Sequence, residues 1–486
     1  MFFRGALIMD MFIEGRWTPA VSGATQPVTD PRSGAVFDTV PQGGAADANI
    51  AIRSAQRAFA SWRQVPMAER VRLQKRLAQA MRDAADLVGG ALHRELGRPL
   101  PACLQEVNRA ADLLDIYAEE GLRLQSTMTS GGLGEKTVVT RDPVGVVVAI
   151  TPFNYPLNLL MFKLGAALVA GCTVVAKPSA DTPISTLLLA EIFHKAGLPA
   201  GVFNVVTGAG RAIGDALVNH PIPRKIAFTG GTTAGKAIAA AAVQTMKRVT
   251  LELGGQSAAI VCADANIDKA AEAIARHGFA NSGQFCYRVN RIYVDRAVYE
   301  PFLQKLLARV QKFTLAPAGG DGDLGPLVNE KIYANSAIQV DDARAKGARI
   351  LCGGQRKTGA GFDGGFYYQP TLIADATHDM LVLTEETFGP VLGICPVDDP
   401  WQALTFANDN RYGLAGFVFT RDLARGLTLC EGMEAGSVWL NDIQRSSHYE
   451  PFGGVKESGL GREKGRYGVE SYLEYKTMYL SYEVPK

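Results

Sequence analysis

Two residues in the stretch from Val249 to Arg291 are suited by type to covalent chemistry. Glu252 stands shortly before the glycine pair Gly254-Gly255, and Cys286 follows Gly283-Gln284-Phe285. A thiol is the strongest common nucleophile at neutral pH, and a carboxylate can act as general base. Such chemistry requires the two to meet in space. The other six cysteines, Cys103, Cys172, Cys262, Cys352, Cys395 and Cys430, read as small buried hydrophobes. Seven is an odd count, the spacing is wide and no CxxC occurs, so neither a disulfide framework nor a zinc site is expected. The six histidines are scattered without ligand spacing, so no metal is expected.

The elements that must position the pair can be read around them. From Pro143 apolar runs alternate with helical segments: VGVVVAIT, CTVVAKPS, VFNVVTG, KIAFTGG and RVTLELG. Uninterrupted runs of this kind are strands of a parallel sheet covered on both faces. Right-handed crossovers make the sheet doubly wound, with ligands at the carboxyl ends of its strands. SAAIVCA, RIYV, VLGICPV, GFVFTRD and SVWLND begin the pattern again as a second unit. The expected organisation is a Rossmann-like cofactor-binding domain over 1–121 and 143–252 and a catalytic domain over 253–440. A Gly-rich segment over 441–466 returns the chain to the first domain. Helices from Ala45, over 67–97 and over 101–120 precede the first sheet, with Asp83, Asp86 and Glu95 on solvated faces. Residues 122–142 read as a long hairpin about Ser130-Gly131-Gly132. Its free face needs a partner subunit or the strand-like tail, so 122–142 and 467–486 are the expected oligomerisation strands.

FTGGTTAG ends a strand with Thr229, Gly230 and Gly231 and opens a helix near Gly235, where bare N–H groups favour a pyrophosphate. Gly208-Ala209-Gly210 running on to Gly214 is one residue too long for G-x-G-x-x-G and reads equally well as a tight turn. Lys177 and Ser179, at the end of CTVVAKPS, are either solvated surface or partners of a ribose or a 2′-phosphate. The chain as a whole has 486 residues, 47% hydrophobic and 20% charged, which suits a multidomain globular protein. Fifty basic against 48 acidic residues leave a net charge of +2, with no footprint for nucleic acid or an anionic membrane. No apolar run approaches a bilayer span, and MFFRGALIMDM is too short for a signal peptide, so a cytoplasmic location is expected.

Together these features reach a family. From about Phe12 to the C-terminus the chain resembles the aldehyde dehydrogenase superfamily, through TPFNYP (151–156), AKPS (176–179), FTGG (228–231), LELGG (251–255), NSGQFC (281–286), EETFGP (385–390) and PFGG (451–454). The resemblance implies two doubly wound α/β domains with a small β oligomerisation hairpin. It also implies NAD(P)-dependent, non-acylating oxidation of an aldehyde to its acid. On that pattern Cys286 forms a thiohemiacetal, hydride passes to the nicotinamide, and Glu252 activates the water that hydrolyses the remaining thioester. Asn154 and the Cys286 backbone N–H hold the oxyanion, and Lys163 belongs to a proton relay near Asn154 and Glu252. Thr151, Pro152, Phe153, Gly210 and Leu253 join the cofactor set; Glu386 holds the nicotinamide ribose and Phe388 packs near the nicotinamide. The family commonly forms homodimers or homotetramers. Glu252 argues against a coenzyme A-acylating enzyme, and Cys286 against a non-catalytic protein on the same fold.

The sequence departs from the family in places that bear on specificity. NAD-preferring members often carry a glutamate where Ala180 stands, so NADP is expected to be accepted beside NAD, with Lys177 and Ser179 binding the 2′-phosphate. The C-terminal half is similar to the succinate-semialdehyde dehydrogenase branch, yet that branch's arginine in the helix after the asparagine is Phe162 here, and its second cysteine is Arg288. Tyr155, Phe162, Phe285, Tyr287 and Phe452 suit an apolar or aromatic aldehyde. Arg288, Arg445 and His448 instead suit an anionic tail; Arg288 reads equally as a structural ion-pair partner.

Overall fold

The structure, a computed structural model, describes residues 9–443 and 447–484. Five of the expected strands form one parallel set in the order Phe203–Val205, Thr173–Lys177, Val146–Ile150, Lys225–Thr229 and Arg248–Glu252. The central three are buried at every residue, which is why they read as unbroken apolar runs. From Val146–Ile150 the chain steps outward through Thr173–Lys177 and Phe203–Val205, then returns to the other side with Lys225–Thr229. The order reverses between Val146–Ile150 and Lys225–Thr229, so TPFN and TGG leave the sheet at its switch point, where such sheets bind ligands. Antiparallel strands flank the set. Met11–Ile13 and Arg16–Thr18 lie on one side, and Gly459–Leu460, from the returning segment, pairs with Arg248–Glu252 on the other.

The chain passes from Glu252 to Ser257 and enters a second sheet. Its order is Arg349–Cys352, Thr371–Ala374, Val391–Val397, Val289–Asp295, Ser257–Val261, Ala415–Phe419 and Ser437–Leu440, all parallel except the first. The helix Glu330–Ala345 and the strand Arg349–Cys352 were not anticipated. The signal was present, since the Asn329 side chain accepts from the Ile332 N–H as an N-cap.

Two expectations need correcting. Glu95 is not on a solvated face: it is fully buried and accepts the backbone N–H groups of Ile184 and Ser185, which lack partners at the start of the helix Ile184–Lys195. Burial pushes its carboxyl up to about 8, against those hydrogen bonds. The hairpin joins Thr127–Gly132 to Glu135–Pro143, so the turn lies at Leu133-Gly134, where Gly134 supplies a φ of 81°, and not at Ser130-Gly131-Gly132. Of the two ways to cover it, the tail is the one within this chain: Leu473–Ser481 pairs antiparallel with Glu135–Pro143 along its whole length.

Candidate active site

Backbone conformation sets the Cys286 loop. Asn281, Ser282 and Gly283 have φ values of 50°, 56° and 79°, three successive residues in a region that L residues rarely adopt. Side chains hold them there. Ser282 Oγ donates to the Gly325 carbonyl at 2.7 Å, and Asn281 Nδ2 donates to the carbonyls of Gln284 (3.2 Å) and Asn154 (3.1 Å). A methyl group at Gly283 would collide with the Gly389 carbonyl, so the loop packs closely on EETFGP. The turn delivers a half-buried Cys286 whose sulfur faces the backbone N–H groups of Cys286 and Tyr287. Burial and the charges of Glu252 and Glu386 push its thiol up to about 12 despite those N–H groups.

Asn154 reaches this loop from the other sheet. It sits past the end of Val146–Ile150, is 2% exposed, and its Nδ2 donates to the Gln284 carbonyl at 3.3 Å. A buried ion pair between Arg98 and Glu106 fixes its backbone. Arg98 Nη1 donates to the Asn154 carbonyl at 3.4 Å, and Glu106 Oε1 accepts the Leu157 and Asn158 N–H groups at the start of the helix Pro156–Ala170. Glu252 closes the site. It ends its strand opposite Thr229 and Gly459, is 3% exposed, and neither carboxyl oxygen has a hydrogen-bond partner among the described residues. A methyl group at Gly255 would stand 2.8 Å from the Cys286 carbonyl oxygen, so the chain just past Glu252 touches the Cys286 loop. Burial and the neighbouring Glu463 hold Glu252 well above the usual carboxylate range, opposed by Lys163. Lys163 Nζ is fully buried and donates to Glu463 Oε1 (2.8 Å), Thr229 Oγ1 (2.7 Å) and the Leu159 carbonyl (3.3 Å).

The dinucleotide candidates gather at the switch point. Gly231 precedes the helix Thr232–Val243 and is exposed, so the free N–H groups of that turn face the ligand edge. Lys177 is buried, contrary to a surface role; its Nζ donates to the Pro178 carbonyl at 3.1 Å, and burial pulls it down to about 8. Ser179 Oγ donates to Asp181 at 3.1 Å. Ala180 is exposed, but this adjacent carboxylate is one the sequence comparison at 180 passed over. Across the cleft, Glu386 Oε1 accepts the Gly255 N–H at 3.0 Å, and a methyl group at Gly254 would strike the Glu386 carboxylate. Burial raises that carboxyl to about 7. The Phe153 and Phe388 rings meet edge to face at 5.8 Å. Backbone donors, a lysine and a hydroxyl on one side of the cleft and a ribose-type acceptor on the other fit a nicotinamide dinucleotide. Gly210 lies farther along, exposed at the start of the turn Gly210–Gly214.

Aromatic rings form a continuous wall beside Cys286. Phe285 lies 5.4 Å from Tyr155 and 4.1 Å from Tyr287, and Tyr287 lies 5.2 Å from Phe452 and 6.0 Å from Trp439. Phe162 is joined to Phe452 through the ammonium of Lys464, 5.5 and 4.9 Å from the two ring centres.

Sequence comparison decides what this cleft belongs to: the profile described as "Aldehyde dehydrogenase family" matches residues 17–478. The chain belongs to the aldehyde dehydrogenase family. It is 40% identical over 468 residues to succinate-semialdehyde dehydrogenase [NADP(+)] GabD of Escherichia coli K12, covering 96% of each chain. It is 38% identical to 3-sulfolactaldehyde dehydrogenase of Pseudomonas putida, over 96% of this chain and 95% of that one. A crystal structure described as an E. coli NADP-dependent enzyme superposes with a TM-score of 0.94 at 38% identity, covering 98% of each chain.

For this aldehyde dehydrogenase two candidate anion anchors change status. Arg288 is fully buried, and its guanidinium donates to the carbonyls of Gly278, Val289 and Val391 at 3.1–3.2 Å. It braces the sheet behind Cys286 and reaches neither substrate space nor a carboxylate partner, so both expected roles fail. His448 is half-buried, and burial together with Lys464 pulls its imidazole down to about 4, so it is neutral near pH 7. Arg445 lies outside the described residues. The site also contains residues that no motif revealed: Arg98, Glu106, Asp181, Trp439, Glu463 and Lys464. Glu463 and Lys464 are four and five residues from Gly459, which pairs with Glu252, so only the β pairing of the return segment discloses them. Among the described residues no cluster of His, Cys, Asp or Glu is placed to hold a metal ion, and no helix is long and apolar enough to cross a membrane.

Proposed function

We propose that this enzyme oxidises a semialdehyde-type aldehyde to the carboxylic acid with NADP or NAD, through a thiohemiacetal and a thioester on Cys286 and hydrolysis assisted by Glu252. The observation that carries the proposal is the meeting of Cys286, Asn154 and Glu252, from three separate chain segments, at the junction of the two sheets. The named relatives act on aldehydes whose far end is anionic, which favours a substrate of that class over a plain aromatic aldehyde.

The chemistry follows from the environment. Burial, with the charges of Glu252 and Glu386, pushes the Cys286 thiol up to about 12, so it needs a base to become a nucleophile, and burial with the neighbouring Glu463 raises Glu252 toward that task. As the sulfur attacks the aldehyde, its proton passes to ionised Glu252 and the charge moves to the carbonyl oxygen, beside Asn154 Nδ2 and the N–H groups of Cys286 and Tyr287. Donors held rigidly beside that oxygen need little reorganisation, which is where such sites obtain much of their rate. A bound nicotinamide would supply the hydride acceptor, with Glu386, Phe153 and Phe388 orienting it. After releasing that proton to solvent, Glu252 takes a proton from the water that opens the thioester; its raised pKa makes it a stronger base than a surface carboxylate. Lys163 and Glu463 set how readily it ionises.

The three-stranded sheet of Thr127–Gly132, Glu135–Pro143 and Leu473–Ser481 supports assembly into a homo-oligomer. It exposes Met128, Leu133, Tyr475, Tyr479 and Leu480 together with an open strand edge.

An aldehyde panel of aliphatic, aromatic and ω-carboxylic members, run with both cofactors, tests the substrate class. Glu252→Gln should release one equivalent of reduced cofactor per site and then stall as the acyl-enzyme. Aldehyde oxidation by Cys286→Ala would remove the covalent mechanism.

A further inference from the structure

Among the described residues, Lys464 is the cation on the aromatic wall whose charged group is left without a bonded partner. It is 6% exposed, yet among the described residues its Nζ donates no hydrogen bond and forms no salt bridge. The ammonium lies over the faces of Phe452 and Phe162, 4.9 and 5.5 Å from the ring centres. The other buried cations here are each satisfied: Lys163 by Glu463 and Thr229, Arg98 by Glu106, Arg288 by three carbonyls. Its backbone is held in a costly shape as well. Lys464 has φ 67° and ψ 156°, a region essentially reserved for glycine. Four contacts over-determine it: Phe452 and Glu463 exchange backbone hydrogen bonds at 2.8 Å, the Lys464 N–H donates to Tyr117 Oη at 3.2 Å, and the Lys464 carbonyl accepts from Gly468 at 2.8 Å. This geometry sends neighbouring side chains to different places, Glu463 toward Lys163 and Glu252, and Lys464 onto the aromatic wall. The Asn154 helix supplies no cation there, since Phe162 is apolar.

We propose that the Lys464 ammonium binds the anionic far end of the substrate and so selects aldehydes that carry a carboxylate or sulfonate distal to the carbonyl. The proposal rests on aldehyde oxidation at Cys286 and adds the residue that chooses the substrate. A buried ammonium held by ring faces alone has three unused donors, and an entering anion satisfies them. Lys464 lies within electrostatic reach of Cys286, Glu252, Glu450 and Glu463, which offset part of the loss of charge that burial imposes. None of these carboxylates is bonded to it.

The test uses the purified full-length enzyme with cofactor and two aldehydes of equal chain length, succinate semialdehyde and its uncharged methyl ester. In Lys464→Met the KM for succinate semialdehyde should rise at least tenfold with kcat within about threefold, while kcat/KM for the ester stays within about threefold. Lys464→Gly removes the ammonium and also relieves the backbone, so it should show the same loss of selectivity with no fall in Tm. Lys464→Arg should retain much of the preference. A parallel fall for both aldehydes in Met and Gly variants, or an unchanged ratio between them, overturns the proposal. Binding is read separately: succinate should raise the Tm of the wild type and not that of Lys464→Met, and equal protection of both counts against the site. Wild-type enzyme that oxidises no aldehyde but is protected by succinate through Lys464 would sink the assigned reaction and leave the anion site standing.

Discussion

Glu463→Gln isolates the electrostatic control of Glu252. Glutamine keeps the carbonyl-type acceptor that Lys163 Nζ now meets at 2.8 Å, so the hydrogen bond survives while one buried negative charge is removed. After burial itself, Glu463 is the largest influence raising Glu252. Without it, Lys163 is no longer neutralised and acts on Glu252 alone, so both changes favour the ionised carboxylate. A single neighbouring charge moves a carboxyl by about one to two units, which is about 10- to 100-fold in ionised fraction on the acid limb. The weaker base should also lower the plateau, so the wild-type and variant profiles cross. Stopped-flow measurement of reduced cofactor between pH 5 and 9 separates acylation, seen as the burst, from deacylation, seen as the steady rate. The acid limb of deacylation should move to lower pH in Glu463→Gln. Lys163→Met should move it higher and also destabilise the protein by about 3–5 kcal/mol, because a buried carboxylate loses its partner. A limb that stays in place in both variants, or moves the same way in both, refutes the assignment of Glu252 as a base tuned by this pair.

Three further outcomes follow from the same geometry. Because Cys286 is pushed up to about 12, its thiolate fraction should rise about tenfold per pH unit through neutrality. Alkylation of the Cys286 peptide by iodoacetamide in cofactor-free enzyme, followed by mass spectrometry, should track that slope, and a plateau below pH 8 would contradict it. Asn154→Ala should lower kcat/KM by about 10²–10³ with the fold intact, through loss of an oxyanion donor; a loss below about threefold would show that Asn154 does not face the oxyanion. Asp181→Asn should raise the NADP:NAD ratio of kcat/KM several-fold by removing a negative charge beside Ser179 and Lys177. An unchanged ratio would place that carboxylate away from the 2′-position.

Much of this protein is legible in one dimension. Strands buried on both faces must be apolar throughout, so the parallel set was readable from Val, Ile and Ala runs, whereas its strand order and switch point came from the fold. Cys286, Glu252 and Asn154 stand at strand ends and in short motifs, where local sequence constrains the backbone directly. The resemblance to the aldehyde dehydrogenases rests on those same motifs, and the match over residues 17–478 agrees with it. What the chain does not show locally is which charge meets which. Glu95 looks like a surface glutamate until Ile184 and Ser185 fold onto it. Arg288 looks like an anion anchor until the carbonyls of three separate elements surround it. Glu463 and Lys464 occupy a glycine-rich tail that carries no helical or strand periodicity. They reach the site only because Gly459–Leu460 pairs beside Glu252 and Phe452 pairs with Glu463. Reaction type was therefore set by residues whose role is fixed near them in sequence. The tuning of Glu252 and the charge on the substrate wall depend on long-range pairing, because electrostatic energy is governed by distance in space and by burial, and neither is written in sequence spacing.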